Sequence, residues 1–265
     1  MSRLMKKPNL AGLVSNAEWK DWGDADPLWA VASWQGKERC GPDPWTDAEF
    51  YKLGECDWHD FVLRWQRYGL DETSCVEIGC GAGRITMHLA QCFGTVHALD
   101  VSEGMLEYAR ARVIGAKFTL TDGVHIPLPN DSVTAAFSCH VFQHFDSVEA
   151  SVEVFGEIVR VLRPGATIMI HLPLYNWPLS RGLFERLFML RQWLSRKKAA
   201  LYRFRGKPLM RGTWYEIDWL VQMLGSQGFN DLEFVTFACS SNRSLHPFVF
   251  ARKPAASVTI QSNQL

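Results

Sequence analysis

The stretch "VEIGCGAGR" at residues 76–84 sets a carboxylate, Glu77, directly ahead of three alternating glycines, Gly79, Gly81 and Gly83. Glycines at this spacing let the backbone approach a bound molecule closely. The dinucleotide fingerprint is G-x-G-x-x-G, and Arg84 stands where its third glycine belongs. A P-loop is excluded as well, because no Gly-Lys-Ser/Thr follows. Glu77 would repel a pyrophosphate and attract a cation. The loop therefore asks for a ligand held near the backbone that carries positive charge and need not carry a phosphate. Glu77 has a second reading, as a cap of the helix that follows. Imidazoles gather further along, with His140 and His144 in "SCHVFQH" and His171 after an apolar run, close to Tyr175.

The surrounding pattern predicts the elements that hold these groups. "SCVEIG", "TVHALD", "AKFTLTDG", "DSVTAAFSCHV" and "RPGATIMIHLPL" read as strands. Between them, "GRITMHLAQCF", "SEGMLEYARARV" with Ser102 as its N-cap, and "SVEASVEVFGEIVRVL" read as helices. In the last of these, Val152, Phe155, Ile158, Val159 and Leu162 share one face. Strict alternation of strand and helix predicts a parallel sheet with helices on both sides. Another helix, "YEIDWLVQMLGSQGF", turns Ile217, Leu220, Val221 and Leu224 inward. "DLEFVTFAC" and "HPFVFARK" then close the sheet as an antiparallel hairpin. The expected fold is α/β, a Rossmann-like three-layer sandwich on a mostly parallel seven-stranded sheet with an antiparallel C-terminal hairpin strand. Residues 1–70 form an N-terminal helical or lid region. In it, "DPLWAVASW" and "DAEFYKLGECDWHDFVLRWQRYGL" have helical spacing, with Asp47 near the second N-cap and Phe61, Leu63, Trp65 and Tyr68 on its apolar face. Residues 71–253 form the main domain, with an insertion at about 174–212, and 254–265 a tail.

S-adenosylmethionine has a nucleoside, an α-ammonium and a sulfonium but no phosphate, so it meets the demand of the glycine loop. "VEIGCGAGR" resembles the first motif of class I S-adenosylmethionine-dependent methyltransferases, of the bacterial small-molecule type. "ALDVSEGMLEYAR" is similar to that family's second strand and helix, "TDGVHIPLPNDSVTAAFS" to its third strand and loop, "VFQHFDS" to the segment after the fourth strand, and "VLRPGATIMI" to the turn into the fifth. "WKDWGDADPLWAV" and "FYKLGECDW" also look like a bacterial subgroup of these enzymes. The resemblance implies a cofactor site. Asp100, 21 residues after Gly79, would reach both ribose hydroxyls, unless it only caps a helix. Asp122 would accept from the adenine amino group, unless it is a surface turn acid, and Gly123 would offer its amide. Met105 would be half core and half adenine wall. Val101 completes the implied set. So does Cys80, read as a small loop residue without thiol chemistry.

Methyl transfer from a sulfonium is an in-line displacement that depends on positioning and exclusion of water. In an open parallel sheet ligands lie beyond the carboxyl ends of the strands. That rule points His140 toward the cofactor's methyl group or its amino acid end, as a contact or as a general base. His144 resembles a histidine common in the family and serves either chemistry or the tying of its loop. His171 and Tyr175 are further candidates. No metal-ligand spacing is visible, and no metal is expected.

Lys and Arg number 28 and Asp and Glu 28, so no global basic excess points to nucleic acid. Nor does the region after the fourth strand contain the N/D-P-P-Y/F pattern of amino-group modifiers. Seven cysteines without C-x-x-C spacing exclude a zinc ribbon or disulfide framework. With no apolar run long enough for a membrane span, the chain reads as cytoplasmic. Seven of the eleven tryptophans lie between Trp19 and Trp65 and either pack a helical layer or form a lid over a ligand. The insertion carries Leu183, Leu187, Leu190 and Leu194 at helical spacing amid many Arg and Lys. It reads as a solvated cap, a substrate lid, a clamp for an anion, or, through 181–211, a membrane-surface helix. These features predict methylation of an oxygen or nitrogen of a small-molecule acceptor, hydrophobic or anionic, with nucleic acid not expected as a partner. The rivals are an RNA methyltransferase and a non-catalytic S-adenosylmethionine-binding module.

Overall fold

The computed structural model describes residues 14–175, 190 and 212–255. Three helices come first: α1 (Val14–Ala25), α2 (Pro27–Val31) and the long α3 (Asp47–Tyr68). Then follow β1 (Ser74–Ile78), α4 (Thr86–Cys92), β2 (Thr95–Asp100), α5 (Glu103–Arg110), β3 (Ala116–Leu120), β4 (Val133–Ser138), α6 (Val148–Val161) and β5 (Leu162–His171). A pair of two-residue strands, β6 (Leu174–Tyr175) and β7 (Tyr215–Glu216), brackets the insertion, and α7 (Ile217–Ser226), β8 (Asn230–Ala238) and β9 (Leu245–Arg252) end the fold.

The seven-stranded sheet runs β3-β2-β1-β4-β5-β9-β8. β9 pairs antiparallel with both β5 and β8, and the other pairings are parallel. The period-2 alternation of each central strand splits the core in two. Val76, Ala136, Ile168, Ile170 and Val249 face Phe155 and Ile158 of α6 and Leu220 and Leu224 of α7. Cys75, Ala135, Phe137, Met169, Phe248 and Phe250 face Trp58, Phe61 and Trp65 of α3 and Leu89 of α4. The indole of Trp65 donates to Thr167 Oγ1 at 3.0 Å and fixes α3 on β5. Strand order reverses between β1 and β4, which opens a crevice at their carboxyl ends.

Details at the helix level differ from the sequence reading. Thr46, not Asp47, caps α3: its hydroxyl accepts from the Glu49 amide and the Glu49 carboxylate accepts from the Thr46 amide, a reciprocal box. Leu63 and Val221 are exposed. Trp58 of α3 and Met223 of α7 fill inward positions instead. Val152 and Val159 are only half-buried, while Val154 and Val161 are buried. Ser102 does cap α5, accepting from the Met105 amide. α1 lies across α5 at a glycine contact, since a Cβ on Gly104 would come within 3.0 Å of the Gly23 carbonyl. Apart from Leu190, residues 176–211 are outside the described residues, and so are the expectations placed on that insertion.

Candidate functional site

A cavity of about 410 Å³ occupies the crevice at the carboxyl ends of β1, β2 and β4. Its floor is the loop after β1. Gly79, Gly81 and Gly83 all have left-handed φ, at 72°, 53° and 82°. The backbone itself thus demands glycine there, beyond any close approach of a ligand. The amides of Gly79 and Cys80 both donate to the Leu99 carbonyl at 2.8 and 2.9 Å, which pins the loop to the end of β2.

Two carboxylates stand in this floor. Glu77 is buried, with the Thr86 hydroxyl donating to its Oε2 at 2.6 Å. Burial without a cationic partner in contact pushes its pKa up to about 7. Asp100, ending β2, accepts from the Gly81 amide at 2.8 Å and the Ser102 amide at 2.9 Å, and burial raises its pKa as well. Cys80, Val101, Met105 and the Gly123 region complete this end of the cavity. Burial pushes the Cys80 thiol well up, so it stays protonated. Asp122 is the exception among the implied cofactor contacts. It is exposed and stands outside the cavity wall. Its Oδ1 accepts from the amides of Val124 and His125 at 2.9 and 2.7 Å, which ties that oxygen to its own turn and leaves Oδ2 as the one able to accept from a ligand.

The other end of the cavity is built by the loop after β4. His140 sits at φ 61°, a left-handed conformation rare for a side chain with a Cβ. Its ring packs against His171 at 4.2 Å and His246 at 4.9 Å between centroids. His171 ends β5 and His246 begins β9. Because β9 is antiparallel, its first residues meet the last of β5, and three neighbouring strands each deliver an imidazole to one edge. Burial, reinforced by the neighbouring imidazoles, holds His140 well below the ordinary histidine range and His171 at about 3. Both are uncharged at neutral pH. His144 follows on a short 3-10 turn, with its Nε2 2.9 Å from Gln143 Nε2 and its ring edge-on to Trp19 at 4.8 Å. The segment after the insertion supports this loop, as the Tyr215 hydroxyl donates to the Phe142 carbonyl at 2.9 Å and the Thr213 amide to that of Gln143 at 2.6 Å.

Two features escaped the sequence reading. Arg84 is buried on the cavity wall in an ion pair with Asp57 of α3, and Asp57 also accepts from the Ser241 hydroxyl. The other is the imidazole cluster, in which one ring nitrogen each of His140, His171 and His246 lies within 4.8 Å of the others. The N-terminal tryptophans divide between the two readings given to them. Trp19 and Trp34 line the cavity, whereas Trp58 and Trp65 are core.

Residues 76–170 match the family described as "Methyltransferase domain". The chain is 37% identical over 94 residues to a malonyl-[acyl-carrier protein] O-methyltransferase of Yersinia pestis, a match covering 36% of this chain and 34% of that one. It is 28% identical over 150 residues to a probable tRNA methyltransferase 9B of Homo sapiens, covering 50% and 31%. The match thus spans about a third of the length of these curated relatives. Among solved structures, magnesium protoporphyrin IX methyltransferase of Synechocystis with bound S-adenosylhomocysteine superposes with a TM-score of 0.56 at 16% identity, over 90% of this chain and 99% of that one. No helix among the described residues is long and apolar enough to cross a membrane. Residues 76–170 thus form a methyltransferase domain, and its glycine loop, the carboxylates of β1 and β2 and a sheet of this order give it the fold of the S-adenosylmethionine-dependent methyltransferases.

Proposed function

We propose that this chain transfers the methyl group of S-adenosylmethionine to an oxygen or nitrogen of a small-molecule acceptor. The observation that carries the reading is the layout of the cavity, with charged groups for a zwitterion at one end and uncharged imidazoles at the other. Bound in the cavity, S-adenosylmethionine supplies a methyl group on a sulfonium, open to in-line attack. Glu77 would take the α-ammonium, and Arg84, buried beside it on the wall, the α-carboxylate. Asp100 accepts an amide hydrogen bond at each oxygen and would accept the ribose hydroxyls through its remaining lone pairs. Val101 and Met105 give the base an apolar wall, and Gly123 an amide. Among the described residues, no cluster of cations suited to a pyrophosphate lines this end.

His140 would meet the acceptor. An imidazole held well below the ordinary histidine range is available as a hydrogen-bond acceptor at neutral pH but is a weak proton acceptor. This favours orientation of the acceptor over general-base catalysis. Trp19 and His144 close the cavity against water. A second reading, methylation of RNA, has support from the tRNA methyltransferase relative. Incubation with methyl-labelled cofactor and, separately, with host small-molecule extract and host RNA decides between them. Label in a small molecule is expected. Label confined to RNA would replace the acceptor class, and label in neither fraction, with the cofactor bound, would make the chain a binding module.

A further inference from the structure

We infer that His140, His171 and His246 form a binding site for a divalent transition metal of the zinc class, with an open coordination position facing the cavity. One ring nitrogen of each lies within 4.8 Å of the others. His171 ends β5 and His246 lies at the start of antiparallel β9, both fixed by the sheet, while His140 follows β4 on a loop at the same edge.

The protonation of His246 can be read from its neighbours. Asn242 Oδ1 accepts from the Ser244 amide at 2.8 Å and must therefore be the carbonyl oxygen of its amide. The Ser244 hydroxyl also lies 2.5 Å from that oxygen and spends its single proton there. Toward His246 Nε2, 2.6 Å away, Ser244 Oγ can then only accept. Nε2 carries the proton, and Nδ1 is left with a lone pair. That Nδ1 is buried and has no hydrogen-bond partner, and the same holds for Nδ1 of His171. These residues are only 6% and 4% exposed. Leaving a buried nitrogen without a partner is unfavourable, so two of them in one cluster point to a partner that the described residues do not supply.

The chemistry of the set selects a metal ion. Neutral imidazoles suit zinc, copper, nickel and iron, and three protein ligands with a fourth position open is the pattern of zinc sites that keep an exchangeable position. A ligating histidine whose other N–H is held by an outer acceptor is the usual supporting arrangement, and Asn242, Ser244 and His246 form that chain. His140 and His246 line the cavity, which provides the open side. Local charge permits a dication. Arg84 is neutralised by Asp57, and Glu77 and Asp100 line the same cavity. Tetrahedral ligation at about 2.0–2.1 Å brings the nitrogens closer together than 4.8 Å, so the rings must turn inward on binding. His140, on a loop and half-buried, is the one free to do so.

The test uses the untagged full-length chain, stripped with a chelator and titrated with Co²⁺ in the absence of cofactor. One equivalent per chain, with the visible bands of tetrahedral cobalt and no thiolate charge-transfer band, is expected. His140→Asn is the main variant, because asparagine tolerates the left-handed backbone and should fold. It should weaken Co²⁺ binding about 100-fold or more, and Ser244→Ala, which removes only the outer hydrogen bond, about 10-fold. Circular dichroism verifies that both are folded. Failure to bind one equivalent would overturn the site. So would binding that persists in folded His140→Asn, or a thiolate band assigning the metal to Cys139 or Cys239.

Discussion

Val141 occupies the space that a side chain on Gly79 would need. A Cβ on Gly79 would lie 2.3 Å from Val141 Cγ2, and Gly79 itself has φ 72°. The floor of the cavity and the loop carrying His140 are therefore fitted to each other through one glycine. Gly79→Ala should destabilise the fold by about 1–2 kcal/mol from backbone strain alone, with the clash added. Adding Val141→Ala should relieve the clash and leave the strain. Denaturant melts of the single and double variants measure both parts. Equal stability of Gly79→Ala and the parent chain would mean that the loop is not held in this conformation.

Asp100 bridges two structural amides, those of Gly81 and Ser102, while facing the cavity. In Asp100→Ala the two charge-assisted contacts to a ribose diol are lost, at about 1.5–3 kcal/mol each, so calorimetry should find S-adenosylhomocysteine binding weakened by about a hundredfold or more. Asp100→Asn keeps one oxygen for the backbone and should fall between. An Ala variant that melts like the parent chain and binds the cofactor product unchanged would remove Asp100 from the site.

Most of the sheet was legible in the sequence because its strands are short apolar runs closed by turn residues, as where Ile78 gives way to Gly79. Their parallel orientation follows from the helices between them. What the sequence hid depends on contacts between distant segments. Asp57 reads as one more polar residue of a long helix until α3 docks and presents it to Arg84. His246 sits outside every motif, and only the antiparallel return of β9 carries it to His140. Leu63 and Val221 appeared inward because both fall next to true core positions, and a helical stripe has blurred edges when neighbouring residues are apolar. Asp122 was named from a resemblance alone, and in the fold one of its oxygens also caps its own turn.

The Arg84–Asp57 pair should be a sensitive point of stability. Both side chains are nearly inaccessible, at 6% and 7% exposed. Removing one partner of a buried pair strands the other charge and costs about 3–5 kcal/mol. Asp57→Ala is therefore expected to lower the melting temperature sharply. The double change Asp57→Leu with Arg84→Met should recover much of the loss, since an apolar replacement leaves no buried charge. If Arg84 also takes the cofactor's carboxylate, the recovered double variant should fold and still bind S-adenosylmethionine poorly. Full binding by that variant would confine Arg84 to a structural role.

Glu77 predicts a distinct dependence on pH. Its folded pKa of about 7 stands above the ordinary 4.5, so between those values the folded state holds a proton that the unfolded state has released. Folding stability contributed by this group is full below about pH 4.5 and declines as pH rises to about 7, by roughly 3 kcal/mol in all. Glu77→Gln removes that decline. The stability difference between variant and parent should therefore grow with pH and level off above about pH 7. Comparing the two proteins at each pH cancels the titrating groups that do not interact with Glu77; Asp100, whose charge raises the Glu77 pKa, stays coupled to it. Binding should run the other way. A cationic ammonium prefers the ionised carboxylate, so affinity for S-adenosylmethionine should fall up to about tenfold per pH unit below pH 7, whereas Glu77→Gln should bind weakly with no such slope. A parent affinity that stays flat from pH 8 to 5.5 would show that Glu77 does not meet the cofactor's charge.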